Sequence, residues 1–184
     1  DRSYSISGAA AHESFDRTAT VTEDAFAASG MQTQARSTVG VEDGSFTFAN
    51  LAPRLNWNLE NGDTLTSQTF LNAGKFKTRT NEVASTAIGA PAPYPNLDLA
   101  NESKNNYFRT ELNWVHKMAD GAKLDTKLGV QRGDSDTEQR RVTPAGAARP
   151  LDNHITSNSE DRGVTSTGKF SKTIFEGHAL GMGW

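Results

Sequence analysis

At 184 residues the chain is long enough for one domain with a core, yet only 35% of it is hydrophobic, 22% is charged and the net charge is −3. With no cysteine there is no disulfide framework and no thiolate metal site, and an acidic balance without a basic stripe argues against a sequence-independent grip on nucleic acid. No apolar run is long enough to cross a membrane as a helix, which leaves open a transmembrane barrel, whose strands alternate lipid-facing and lumen-facing residues and average to low hydropathy.

Residues 2–11 read as a strand, with Tyr4, Ile6, Gly8 and Ala10 on one side and Ser3, Ser5 and Ser7 on the other, and residues 15–21 can prolong it. Residues 22–43 are polar, small and acidic without a sustained period, the pattern of a long loop. Phe46 and Phe48 open the next strand out of phase with Leu51, and a bulge near Asn50 would restore the phase. From there Leu51, Pro53, Leu55, Trp57 and Leu59 alternate with Ala52, Arg54, Asn56 and Asn58, so one face is apolar. Pro53 is awkward in that run, because proline donates no ladder hydrogen bond.

Glu60-Asn61-Gly62 is a three-residue hairpin loop whose glycine takes the positive φ of a bulge-type turn. Residues 64–73 return, and the loop length predicts Trp57 opposite Leu65 and Leu51 opposite Leu71. Residues 75–106 carry the proline run Pro91-Ala92-Pro93-Tyr94-Pro95 and read as a second long loop. Phe108, Thr110, Leu112, Trp114, His116 and Met118 then share a face, with Arg109, Glu111, Asn113 and Lys117 on the other. A second turn, Ala119-Asp120-Gly121, leads to Leu124, Thr126, Leu128 and Val130 against Lys123, Asp125, Lys127 and Gln131. Residues 133–163 read as a third long loop, and Phe175-Glu176-Gly177 as a third short turn ahead of His178, Leu180, Met182 and Trp184. The repeated unit is strand, tight turn, strand, long loop, and it predicts seven strands.

Strands with one apolar and one charged face suit either a soluble antiparallel sheet on a core or a barrel wall between lipid and a wet lumen. Three features favour lipid. Short turns alternate with long loops, as periplasmic turns alternate with extracellular loops in barrels. Trp57 and Trp114 lie near the short turns while Phe46, Phe48, Phe76, Tyr107 and Phe108 lie at the far ends, the expectation being two aromatic girdles. Arg54, Arg109, Glu111, Lys123, Asp125 and Lys127 occupy strand centres on the polar face, which suits a hydrated lumen. The expected fold class is therefore all-β, an antiparallel transmembrane β-barrel segment of about seven strands with residues 1–184 as part of one barrel domain. Leu55, Trp57, Leu112, Trp114, Leu124 and Leu128 are the expected lipid-facing residues.

The stretch Leu51-Ala52-Pro53-Arg54-Leu55-Asn56-Trp57-Asn58-Leu59-Glu60-Asn61-Gly62-Asp63-Thr64-Leu65 resembles the "Pro-Arg-Leu-x-Trp … Gly-Asp-x-Leu" hairpin of TonB-dependent outer-membrane receptors. The hairpins at Trp114 and Gly177 are looser echoes. The resemblance implies that Pro53 is a family feature, and that these strands belong to a barrel of about 22 strands. Such a barrel encloses a plug domain and couples to TonB through a preceding segment; neither plug nor coupling segment is in these residues. It further implies active uptake of a scarce nutrient such as an iron-siderophore in the outer membrane of a Gram-negative cell. An odd strand count and a short last run, 178–184, lead to the expectation that the native chain continues past Trp184.

Tyr107, Arg109 and Gln131 fall on the lumen side near the outer mouth, where charge-assisted bonds and stacking can hold the anionic or aromatic parts of a small-molecule ligand such as a metal chelate. The same residues also suit a plain hydrated wall. His12, His116, His154 and His178 are not at metal-ligand spacing, and no serine sits in a nucleophile elbow, so neither a metal site, a cofactor nor an enzyme is expected. Tyr94-Pro95-Asn96-Leu97 is similar to the Asn-Pro-x-Leu box of haem receptors, although proline-rich turn chemistry accounts for it better. A soluble or surface β-sheet binding module and a passive outer-membrane porin are the alternative readings.

Overall fold

Strand alternation in this chain runs well past the apolar residues that announce it. The computed structural model describes residues 1–176 and 178–184, in which seven antiparallel strands follow one another: β1 (Arg2–Phe26), β2 (Gln32–Asn58), β3 (Thr64–Ile88), β4 (Asn96–Lys117), β5 (Lys123–Val142), β6 (Asp152–Phe175) and β7 (His178–Gly183). Each pairs with the next to make a single sheet in sequence order. Among the described residues β1 and β7 each have one neighbour, so the sheet is open. The fold is all-β and antiparallel, with the strand number that the sequence predicts.

The stretches expected as long loops, residues 22–43, 75–106 and 133–163, are mostly strand, and the connections at that end shrink to residues 27–31, 89–95 and 143–151. Polarity on both faces of a segment says that both faces are wet, and the ladder tolerates this when cross-strand polar pairs form. Arg17 meets Glu42 at 2.8 Å, Ser103 meets Thr137 at 3.2 Å and Arg140 meets Asp152 at 2.9 Å. With 27 residues β2 is ~90 Å long at ~3.3 Å per residue.

At the opposite end the turns are those the sequence predicts. Gly62 has φ 82° and Gly121 φ 81°. The Gly62 amide donates to the Leu59 carbonyl at 3.0 Å and Leu59 donates to Asp63 at 2.9 Å, a pattern repeated by Gly121 to Met118 at 3.1 Å and Met118 to Ala122 at 2.9 Å. Trp57 faces Leu65 and Leu51 faces Leu71, as the loop length requires. Gly177 of the third turn lies outside the described residues. Residues 27–31 close in the same way, Gly30 donating to Ala27 at 2.9 Å, so short turns occur at both ends of the sheet.

Two local expectations meet different outcomes. Pro53 does sit inside a paired strand: the β2–β3 ladder skips Ala52 and Pro53 and resumes at Arg54 opposite Gln68 without changing register. The bulge near Asn50 is absent, since Asn50 stays in continuous register with Ala9 and Asn72, and register shifts occur only near strand ends. Phe46 and Phe48 therefore remain on the face of Arg54.

The sheet is one layer thick. Among the described residues only Leu97 and Ala122 are buried apolar residues, while Tyr4, Ile6 and Val164 are 82%, 67% and 78% exposed.

The short turns are fastened to the hairpins that follow them. The Asp63 carboxylate, buried at 2% exposure, accepts hydrogen bonds from the Lys117 amide at 2.9 Å, from His116 Nδ1 at 2.8 Å and from Trp114 Nε1 at 3.2 Å. Asp120 in the second turn accepts from the Ala122 amide at 3.2 Å and from Lys172 of β6. Burial pushes the Asp63 pKa up, but the bonds from Lys117, His116, Trp114 and Asn61 outweigh it and hold the carboxyl at about 2, below its ordinary 3.8. A depressed carboxylate pKa stabilises the fold fully above 3.8 and loses that contribution as pH falls through about 2. The fluorescence of Trp114 should accordingly report loosening of this corner between about pH 4 and pH 2, and D63N should show the loosened signal at neutral pH with no such acid transition. An unchanged acid transition in D63N would contradict the assignment.

Candidate functional site

Antiparallel register assigns every side chain to one of two faces, and the six residues expected to be lipid-facing share one of them. Trp57, Leu65 and Trp114 lie in one transverse row that continues through Thr126 and Gly168 to Trp184. Leu55, Leu112 and Leu128 occupy the next row, and Leu124 stands beside His116 toward the turn. Trp184 was not foreseen as part of the tryptophan row; its ring lies over Gly168, and its Nε1 donates to Ser166 Oγ at 3.1 Å. On β4 the apolar face extends over residues 108–116, about nine residues, which matches the ~9–11 that a tilted strand needs to cross a bilayer. At its upper edge the same face turns charged, with Arg132 and Arg162 in the row of Phe108, and Lys75 and Lys104 two rows higher.

The expected second girdle is not there. Phe46, Phe48, Phe76 and Tyr107 project from the polar face, and only Phe108 of that set is on the apolar face. For Phe46 and Phe48 the cause is the missing bulge near Asn50, which leaves them with the parity of Arg54; Phe76 and Tyr107 keep the parity of Gln68 and Glu111 on their own strands. The parity of Phe46 and Phe48 with Arg54 was the sequence signal, and it holds wherever no bulge intervenes.

The polar face thus carries an aromatic surface. Phe46 and Phe48 stack with ring centroids 5.4 Å apart, and Phe15 of β1 stacks on Phe76 of β3 at 6.1 Å. The tip of the Phe15 ring lies over Gly44, where an added Cβ would sit 2.3 Å from it. Lower on the same face Phe70 approaches Tyr107 at 6.2 Å, and Phe70 is in register with Arg109.

The three residues singled out for ligand contact, Tyr107, Arg109 and Gln131, are brought together on this face. Tyr107 and Arg109 are successive polar-face positions of β4, and Gln131 pairs with Arg109. Tyr107 and Arg109 line a groove of about 360 Å³ with Gln68, Phe70 and Glu111; Gln131 stands beside it, donating to Asp161 at 3.0 Å. Arg109 is engaged by Glu111, whose other oxygen takes Lys127 at 2.7 Å. Two cations share one carboxylate, which leaves a surplus positive charge next to an aromatic pair.

Three of the four histidines make ordinary polar contacts: His12 with Thr47 at 2.7 Å, and His116 with Asp63 and His154 with Glu138 at 2.8 Å. No metal-binding group of side chains occurs among the described residues. Tyr94 has Arg149 over its ring at 5.1 Å.

No protein-family model matches the chain, and no curated protein matches it. Among solved structures it is similar to the ferric yersiniabactin uptake receptor of Yersinia pestis, at 7% identity and a TM-score of 0.44, over 89% of this chain and 26% of that one. It is also similar to the ferripyoverdine receptor of the outer membrane of Pseudomonas aeruginosa, at 11% identity and a TM-score of 0.42, over 98% of this chain and 36% of that one. The chain spans about a quarter to about a third of the length of these structures.

The packing of Phe15 on Gly44 is open to a double-mutant cycle. G44A should destabilise the sheet by ~1–3 kcal/mol through overpacking, and F15A/G44A should recover part of that loss in denaturant unfolding. Additive losses in the double variant would show that the ring does not rest on the glycine.

Proposed function

We propose that this chain is wall of an outer-membrane β-barrel receptor that takes up a scarce nutrient, such as an iron-siderophore, by TonB-coupled active transport. One observation carries the membrane reading: an apolar band about nine residues tall on one face of a sheet that has no second layer over it among the described residues. Tryptophans edge the band near the short turns, as interfacial aromatics do. The charged and aromatic face then lines a hydrated lumen, and the strands stand out beyond the bilayer at the end opposite the short turns.

The transport reading draws on the lumen face. Phe46, Phe48, Phe70, Phe76 and Tyr107 supply stacking surface, and Arg109 and Lys127 supply charge, a combination suited to a small anionic chelate with aromatic or conjugated parts. The sequence resemblance of residues 51–65 to TonB-dependent receptors supports energy coupling through a plug domain. A passive porin needs a wet lumen but no aromatic surface, which is why the receptor reading is preferred. The chain has no enzymatic role in this reading.

The membrane claim is tested by spin labels at positions 112 and 113: a lipid-soluble quencher should reach the label at Leu112 and spare the one at Asn113. L112R should cost ~2–4 kcal/mol if Leu112 lies near the midplane. Epitopes at Gly89 and Gly146 should be labelled on intact cells, and one at Asn61 should not. For transport, F46A/F76A should weaken ferric-chelate binding by the native receptor roughly tenfold or more, the loss expected of two stacking contacts, and dissipating the proton-motive force should abolish uptake without abolishing binding. Uptake that survives dissipation would identify a passive pore.

A further inference from the structure

On the polar face the charges stop partway up the strands and then resume. Arg54, Arg109 and Glu111 lie low on it, and Arg17 and Glu42, paired at 2.8 Å, lie high. Between them is a block made of positions 44–50 of β2, 72–78 of β3, 101–107 of β4 and 133–139 of β5. Among the described residues these segments put no charged side chain on this face, while their alternate positions carry lysines and carboxylates on the other, Lys75, Glu102 and Asp136 among them. Glu13 of β1 and Asp161 of β6 border the block, and Asp161 is taken by Gln131 at 3.0 Å. The side toward β1 is aromatic: Phe15 stacks on Phe76 and Phe46 on Phe48, with Phe15 and Phe46 36% and 39% exposed. The side toward β5 is made of amides and hydroxyls. The Asn105 amide lies over Gly74, where a Cβ would sit 2.5 Å from its Oδ1, and donates to Asn72 Oδ1 at 3.3 Å. Ser103 and Thr137 share a hydrogen bond of 3.2 Å, and next to them Asn101 Oδ1 is buried without a hydrogen-bond partner among the described residues.

We propose that this block binds a neutral sugar, with a pyranose ring against the phenylalanines and its hydroxyls on the amides and hydroxyls beside them. The proposal deepens the receptor reading above and rests on it, because the block must line a lumen. A sugar ring has a face of C–H bonds, weakly positive, that stacks on the electron-rich face of a phenyl ring. Its edge carries hydroxyls that both donate and accept, and side-chain amides match them in both senses. A charge-free block offers an anionic chelate nothing to pair with, and an alkyl chain laid over it would strip water from the amides without replacing their bonds. Ligand charge is met lower on the wall, at Arg109. A buried acceptor that lacks a donor is costly, and a sugar hydroxyl donating to Asn101 Oδ1 would satisfy it.

The test is equilibrium binding to the full native receptor in detergent, with fluorescently tagged neutral oligosaccharides of glucose, galactose, mannose and xylose as probes beside a ferric chelate. At least one oligosaccharide should bind, with an affinity that stays the same between about 0.1 M and about 1 M salt because no charge is engaged. F76L keeps apolar bulk without a flat ring and should weaken that binding roughly fivefold. N101L removes the unpaired acceptor at similar size and should also weaken it about fivefold. K104Q, at the same height on the opposite face, should bind as wild type does. Equal affinity in wild type, F76L and N101L would place the sugar elsewhere and overturn the proposal, and so would an affinity that falls with salt. Binding of the chelate with no binding of any oligosaccharide overturns this proposal alone, and binding of neither overturns the receptor reading with it.

Discussion

A sheet with no second layer is the condition on which the rest of this structure depends. Between neighbouring strands its backbone groups are satisfied, but its apolar side chains have no second layer to pack against among the described residues. Burial of apolar area contributes ~25 cal/mol per Å² only where something covers it. Whatever covers the sheet lies outside these strands, and the alternation calls for an apolar neighbour over a band on one face and polar surroundings on the other. The long strands reflect this in their own sequences, with alternation of apolar and polar residues inside the band and mostly polar residues beyond it, among which Phe46, Phe48 and Phe76 stand out.

Register turns that condition into a site. Because side chains alternate with period two, an unbroken ladder carries the parity of Arg54 and Glu111 up to Phe46, Phe48 and Phe76 and places aromatics among charges on one face. Glycine makes the close packing of these rings possible on both faces. Phe15 covers Gly44 on the polar face and Trp184 covers Gly168 on the apolar one, in each case where a Cβ would occupy the space of the ring. The two positions are a shared solution to filling a flat sheet surface.

The short-turn end is organised by carboxylates. Asp63 reaches from the first turn to the end of β4, and Asp120 reaches from the second turn to β6, so each hairpin is tied to the one after it. These ties act where the strands end and the ladder has least to offer, and they orient Trp114 at the edge of the apolar band. The far end relies instead on cross-strand ion pairs such as Arg17 with Glu42 and Arg140 with Asp152, which are more exposed.

By itself the sequence determined what is local: the strand faces around Leu55, Leu112 and Leu128, the glycine-bearing turns at Gly62 and Gly121, the pairing of Trp57 with Leu65, and the gathering of Tyr107, Arg109 and Gln131 on one face. These follow from period-two alternation and turn chemistry, which act over a few residues. Only the tertiary structure decided where the strands end, because residues 22–43 and 133–163 carry no apolar period and are strands only through their partners. It alone placed Phe46 and Phe48 on the polar face, since a bulge and an unbroken ladder are equally compatible with the letters around Asn50. It alone brought Asp63 to Trp114 and Lys75 to Glu102, because such contacts depend on which strands lie side by side and in what register, and pairing between distant segments is a property of the whole sheet.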